Sequence, residues 1–232
     1  MLICGLQKLT LLDYPEKIAC TVFTGGCNFR CPFCHNAALV LEPASQPRME
    51  PSQLLDFLQR RKNQLEGVCI TGGEPTMQPG LADLLKQIKA LGYAVKLDTN
   101  GTAPGQVKAL IDAGLVDMVA MDVKNCPARY AETVGIPDFD LTPIQESLDL
   151  LRTGSIPYQL RTTVVQELHT LEDIAALGQW LAGTPRFALQ AFSDSGGCIV
   201  PGLHPVDRDT MAQMAEILRQ TIQLVEIKGI DL

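Results

Sequence analysis

Ile18-Ala19-Cys20-Thr21-Val22-Phe23-Thr24 runs directly into Gly25-Gly26-Cys27-Asn28-Phe29-Arg30-Cys31-Pro32-Phe33-Cys34. The first seven residues are β-branched or apolar almost without interruption, the pattern of a strand covered on both faces in a parallel sheet. Two glycines then let the backbone leave the strand, and three cysteines follow within eight residues. Outward from this point the pattern repeats. Further β-like runs lie at Gly67–Thr71, Tyr93–Thr99, Asp117–Val123, Tyr158–Val165 and Phe187–Phe192. Helical patterns lie at Pro51–Leu65, Gly80–Leu91, Gly105–Ala113, Thr142–Thr153, Leu171–Ala182 and Asp207–Leu224. Six β/α units in a row predict either a doubly wound sheet or a curved, partial barrel.

The placement of polar residues favours the barrel. The cysteine loop follows the first strand, Gly72-Gly73-Glu74-Pro75 the second, and Asp98-Thr99-Asn100-Gly101 ends the third. Asp122 and Lys124 end the fourth, Arg161 lies within the fifth and Gln190 within the sixth. Parallel α/β folds gather their chemistry at the carboxyl ends of strands, and a contribution from every strand fits a barrel mouth better than one crevice. The expectation is a single α/β domain over residues 1–232: a partial (β/α)6 TIM-like barrel of mostly parallel strands, with too few units to close. Cys126–Leu141, with two prolines, reads as a loop over the mouth.

Composition narrows the partners. The net charge is −7 over 232 residues, with acids and bases scattered, so no basic footprint for a nucleic acid is present. No apolar run reaches the length of a membrane span, and Met1-Leu2-Ile3-Cys4 does not open a secretory signal. A cytoplasmic protein is expected. Of eight cysteines, Cys4, Cys20, Cys69, Cys126 and Cys198 are scattered and read as small buried hydrophobes.

Cys27, Cys31 and Cys34 form a C-x3-C-x2-C loop. Zinc in a structural site wants four ligands, and only the adjacent His35 offers a fourth. Three thiolates on an iron–sulfur cubane instead leave one iron open to a small molecule. The loop, with Phe33 between its last two cysteines, resembles the signature of radical S-adenosylmethionine (SAM) enzymes. Thr71-Gly72-Gly73-Glu74-Pro75 is similar to that family's Gly-Gly-Glu motif. The resemblance implies one 4Fe–4S cluster on Cys27, Cys31 and Cys34, Phe33 near the SAM adenine, and the Gly72-Gly73-Glu74 segment at the methionine amino group. An acidic side chain near an ammonium makes physical sense of Glu74.

Asp98-Thr99-Asn100-Gly101 and Asp122-Val123-Lys124 resemble the D-T-N-G and D-x-K motifs of glycyl-radical-enzyme activases. This implies Asp122 and Lys124 at the SAM ribose and carboxylate, with Asp98 supporting the region through a bound cation. Arg161, inside an otherwise apolar strand, needs a partner, and the SAM carboxylate is a candidate. Gln190 is placed near the adenine. Gly5–Ile18, running on to His35-Asn36, is similar to activating proteins of anaerobic ribonucleoside-triphosphate reductases. Only 36 residues separate Cys34 from Thr71, without a second cysteine-rich motif, so one cluster is expected. The implied partners are a glycyl radical enzyme, the anaerobic ribonucleotide reductase, and flavodoxin or ferredoxin as electron donor. Asp13 and His35 are candidates for the opening where the partner glycine enters. The alternatives are a radical SAM enzyme acting on a small molecule, which needs polar groups beyond a SAM site, and an iron–sulfur electron carrier, which leaves Glu74 and Asp122-x-Lys124 unexplained.

Overall fold

The computed structural model describes residues 1–193 and 196–230. The chain forms two compact units. The first comprises Met1–Asn28, Ala38–Ala120 and Glu146–Tyr158, and the second Phe29–Ala37, Met121–Gln145 and Gln159–Leu232.

The first unit begins with strand β1 (Ile3–Thr10), antiparallel to β2 (Ala19–Thr24). A short helix, α1 (Ala37–Leu41), and helix α2 (Pro51–Arg60) lead to β3 (Gly67–Gly72). Helix α3 (Leu81–Ala90), strand β4 (Ala94–Thr99) and helix α4 (Pro104–Asp112) complete the βα series. β2, β3 and β4 pair in parallel, with Ala19 opposite Gly67 and Gly67 opposite Ala94. Val22, Val68, Ile70, Val95 and Leu97 are fully buried, as expected of strands covered on both faces. Helix α2 starts where a capping box forms: Glu50 accepts from the Gln53 backbone while the Gln53 side chain accepts from the Glu50 N–H, with Pro51 in the first turn. It ends at Arg60 rather than Leu65, because Asn63 takes a left-handed conformation (φ 69°) and turns the chain into β3.

Strand β5 (Met118–Asp122) carries the chain into the second unit. Helix α5 (Tyr130–Val134) lies in the segment expected to be a loop. Helix α6 (Thr142–Thr153) has the expected bounds. β6 (Tyr158–Val164), α7 (Leu171–Trp180), β7 (Arg186–Ala191), α8 (Arg208–Arg219) and β8 (Leu224–Lys228) follow. β6, β7 and β8 pair in parallel, with Arg161 opposite Ala188 and Gln190 opposite Lys228. The Thr170 side chain accepts from the Asp173 N–H to start α7, and the Asp207 side chain accepts from Thr210 N–H to start α8.

The α/β class with mostly parallel strands holds, and so does the count of six β/α units, since each of β2 to β7 is followed by a helix. Two further strands, β1 and β8, bring the strands among the described residues to eight. β1 was missed because its bulged pairing breaks the alternation. The helix expected to run to Leu224 ends at Arg219, and β8, which begins at Leu224, was not read because its apolar run is too short to show a period. No helix is long and apolar enough to cross a membrane among the described residues.

Candidate functional site

In the first unit the end of β3 is pressed against the segment before Cys27. Gly72 has φ 113°, and a Cβ there would lie 2.3 Å from the Thr24 nitrogen. A Cβ on Gly73 would lie 1.9 Å from the Gly26 carbonyl oxygen, which accepts from the Glu74 N–H at 2.8 Å. The two glycines therefore permit close approach of two backbones within the protein, a use the sequence did not reveal.

Glu74 also differs from expectation. Its side chain is 1% exposed. One oxygen caps the turn Pro75–Met77, accepting from Thr76 N (3.0 Å) and Thr76 Oγ1 (2.6 Å), and also takes Thr99 Oγ1 (2.8 Å). The other accepts from the Asn100 N–H at 2.7 Å. Burial pushes its pKa up against the pull of these four donors. The carboxylate predicted to meet an incoming ammonium is turned inward, and it ties β3 to the end of β4.

Asp98 is buried as well. It pairs with Lys96, only 2% exposed, and lies 3.6 Å from the Cys69 sulfur, which is itself 3.8 Å from Lys96 Nζ. A cation is thus present at Asp98, but it is the chain's own lysine. Cys69 is buried as expected, yet among charged groups rather than hydrophobes.

The cysteine loop enters the second unit at Phe29. Phe29 is buried edge-on against Tyr130 and Phe139, at centroid distances of 6.5 and 5.2 Å. The Arg30 N–H donates to the Val134 carbonyl (2.8 Å), and Gly135 (φ 67°) comes so close that a Cβ would lie 2.4 Å from the Arg30 oxygen. The segment expected as a lid therefore supports the cysteine loop, through α5 and the glycine after it. Cys34 N–H donates to the Cys31 carbonyl (3.0 Å), and Val200 N–H donates to the Pro32 carbonyl (2.9 Å). Exposed His35 stacks on Phe192 at 5.2 Å. Asp13, in the first unit, accepts from Thr21 Oγ1 at 2.5 Å. Cys198 is half-buried rather than a core residue.

Asp122, at the end of β5, meets Arg161 Nε from β6 at 2.5 Å and Lys124 Nζ at 3.1 Å. The partner Arg161 needed is Asp122. Burial alone would raise the Asp122 carboxyl, but Arg161 and then Lys124 hold it well below the usual carboxylate range. Burial alone would likewise lower Lys124, and Asp122, then Cys31, reverse this and raise it. Two cations thus face one carboxylate. His169, which the sequence did not single out, accepts from the Val165 N–H at Nδ1 (3.1 Å) and sits 2.9 Å from the Lys124 carbonyl through Nε2. It lies edge-on to Phe33 at 6.4 Å. A lone histidine before a helix cap carries no sequence signal for this position. Phe33 is buried and Gln190, on β7, is half-buried.

The donor set suits a cluster. Among the described residues no cysteine is joined in a disulfide. Gly26, just before Cys27, has φ 86° and open space where a Cβ would project. Among the described residues no three His, Cys, Asp or Glu side chains converge as around a single metal ion. A four-iron cluster makes a different demand, with one thiolate per occupied corner.

The Radical SAM superfamily model matches residues 21–181. A Methanocaldococcus jannaschii protein provisionally named a glycyl-radical enzyme activating enzyme is 33% identical over 196 residues, 82% of this chain and 80% of that protein. The pyruvate formate-lyase-activating enzyme of Clostridium pasteurianum is 32% identical over 126 residues, 52% of this chain and 51% of the relative. In fold, a radical SAM methyltransferase from Sphaerobacter thermophilus superposes with a TM-score of 0.72 at 14% identity, covering 97% of this chain and 70% of its own. The expected class, an α/β partial barrel of mostly parallel strands, is the fold they share.

Proposed function

This chain belongs to the radical SAM superfamily, and from that premise we propose that it activates a glycyl-radical enzyme by generating a radical on a glycine of that partner. The observation that carries the proposal is the similarity to the M. jannaschii protein over 82% of the chain. Enzymes of the superfamily use a 4Fe–4S cluster and SAM.

Cys27, Cys31 and Cys34 would hold the cluster. When bound, the cluster supplies the electron that splits SAM into methionine and a carbon radical at the 5′ position of deoxyadenosine. The chain's own residues bind, orient and exclude. Lys124 and Arg161, two cations side by side at Asp122, suit the SAM carboxylate, and Asp122 keeps lone pairs for a ribose hydroxyl. The methionine amino group falls to the backbone of Gly72-Gly73, because the Glu74 carboxylate is buried and both its oxygens already accept hydrogen bonds within the fold. Phe33 and Gln190 serve the adenine, and Asp98, neutralised by Lys96, supports the end of β4. A bound radical acts only on a carbon brought into contact with it, so the partner glycine must be delivered on an extended segment. The anaerobic ribonucleoside-triphosphate reductase is the proposed partner, in the cytoplasm, with reduced flavodoxin or ferredoxin as donor.

The test is anaerobic incubation of the reconstituted protein with SAM, a reduced donor and candidate glycyl-radical enzymes. EPR should report a glycyl radical on one of them. Deuterium transfer to deoxyadenosine from a small metabolite, and never from a glycyl peptide, would refute the activase reading and favour a small-molecule substrate.

A further inference from the structure

We propose that the Asn100 carboxamide donates a hydrogen bond to the sulfur of Cys27 and thereby sets the cluster's reduction potential, with Glu74 as the anchor that holds Asn100 in place. The proposal rests on the reading that Cys27 is a cluster ligand. Asn100 is 5% exposed and its Nδ2 lies 3.8 Å from Cys27 Sγ and 2.8 Å from Asn28 Oδ1. Which end of the carboxamide faces the sulfur is fixed chemically. The Thr102 backbone N–H, a donor only, lies 3.0 Å from the opposite atom, and the Thr102 hydroxyl lies 2.7 Å from it. That atom must be the oxygen, so the amide nitrogen points at Cys27. Asn28 Nδ2 donates to Thr102 Oγ1 at 2.9 Å and closes the ring of side chains.

The backbone of Asn100 is held independently of its side chain. Its N–H donates to Glu74 Oε2 (2.7 Å), and the next carbonyl, Gly101 O, accepts from Ser147 Oγ (2.6 Å). The inward carboxylate of Glu74 therefore has a consequence at the cysteine loop: it fixes the residue whose amide reaches the first cysteine. Hydrogen bonds to cluster sulfurs are a recognised control of iron–sulfur potentials, and outer partners orient ligands. A donor to a thiolate stabilises the reduced, more negative cluster and so raises its potential. Asn100 is a positioning residue in this sense, acting through Cys27.

Redox titration of the reconstituted protein, read by EPR of the reduced cluster, tests this. Asn100→Ala removes the donor and Asn100→Asp removes it and adds a negative charge. Both should lower the potential, Asp more than Ala. In Asn100→Asp the reduced fraction at a fixed poise should fall about tenfold, equivalent to about 59 mV for a one-electron couple. An unchanged potential in an iron-replete Asn100→Asp overturns the proposal. If that variant does not hold iron, the unsubstituted protein decides. With 15N-asparagine incorporated, the reduced cluster must show a nitrogen hyperfine coupling, and its absence overturns the proposal equally. Cys27→Ser separates the two levels. Full iron retention there refutes the ligand reading, whereas an unmoved potential in Asn100→Asp refutes only the donor.

Discussion

At the ends of β3 and β4 one carboxylate is surrounded by neutral donors, while at the ends of β5 and β6 one carboxylate is surrounded by cations. Glu74 is almost completely buried, and both of its oxygens are engaged within the fold. Asp122 is partly exposed, with 24% of its side-chain surface accessible, and it faces two cations. Both acids belong to motifs read from the sequence as SAM contacts. The structure separates them by their surroundings. The Glu74 carboxylate is buried within the framework, whereas the Asp122 cluster is charged and partly exposed.

Substitutions that strike the framework should have the largest effects. Gly73→Ala places a methyl group 1.9 Å from a backbone oxygen that cannot swing aside. It should cost about 3 kcal/mol or more, at or beyond the upper end of overpacking effects, and iron loading should fail with it; urea unfolding and iron analysis are the measurements. Glu74→Ala leaves two backbone N–H groups, Thr76 and Asn100, buried without their acceptor. A loss of about 3 kcal/mol in urea unfolding is expected from stranding such donors. A loss below about 0.5 kcal/mol would place Glu74 with the ligand-facing residues instead.

On the other side of the comparison, Asp122→Ala should cost less stability than Glu74→Ala, because its pair is partly exposed, and should keep the cluster but weaken SAM. One charged hydrogen bond is worth about 1.5–3 kcal/mol, so Kd should rise about tenfold to a hundredfold, measurable by titrating SAM against the cluster spectrum. Equal losses of stability in Asp122→Ala and Glu74→Ala would erase the distinction. The smallest effect concerns His169. Burial lowers its pKa, so the folded chain holds it neutral while the unfolded chain binds a proton near the ordinary value of 6.5. Stability should therefore fall as pH drops below about 6.5, and His169→Gln should flatten that fall in urea midpoints measured across pH.

Much of this was legible from residue order alone. The six runs rich in Val, Ile and other apolar residues became β2 to β7, each within a residue or so, because buried parallel strands carry a continuous apolar signature. β1 was not legible. Leu9, Leu11 and Leu12 near its end are exposed, so hydrophobicity there does not report burial. The motif acids were found but not their orientation, since spacing says which strand end a side chain occupies and not which way it turns. Arg161 announced a partner through the expense of a buried charge, and the partner proved to be Asp122. Gly135 gave no warning, because its closeness to Arg30 joins residues more than a hundred positions apart.

The Lys96–Asp98 pair beneath the end of β4 constrains how relatives of this chain can diverge. Removing one member of a buried ion pair strands the other charge, whereas exchanging both for apolar residues of similar volume is often neutral. Single-step drift at either position is therefore closed, and the route between a charged and an apolar interior here runs through a double exchange, with Cys69 free to change once both are gone. Positions 96 and 98 should be inherited as one character.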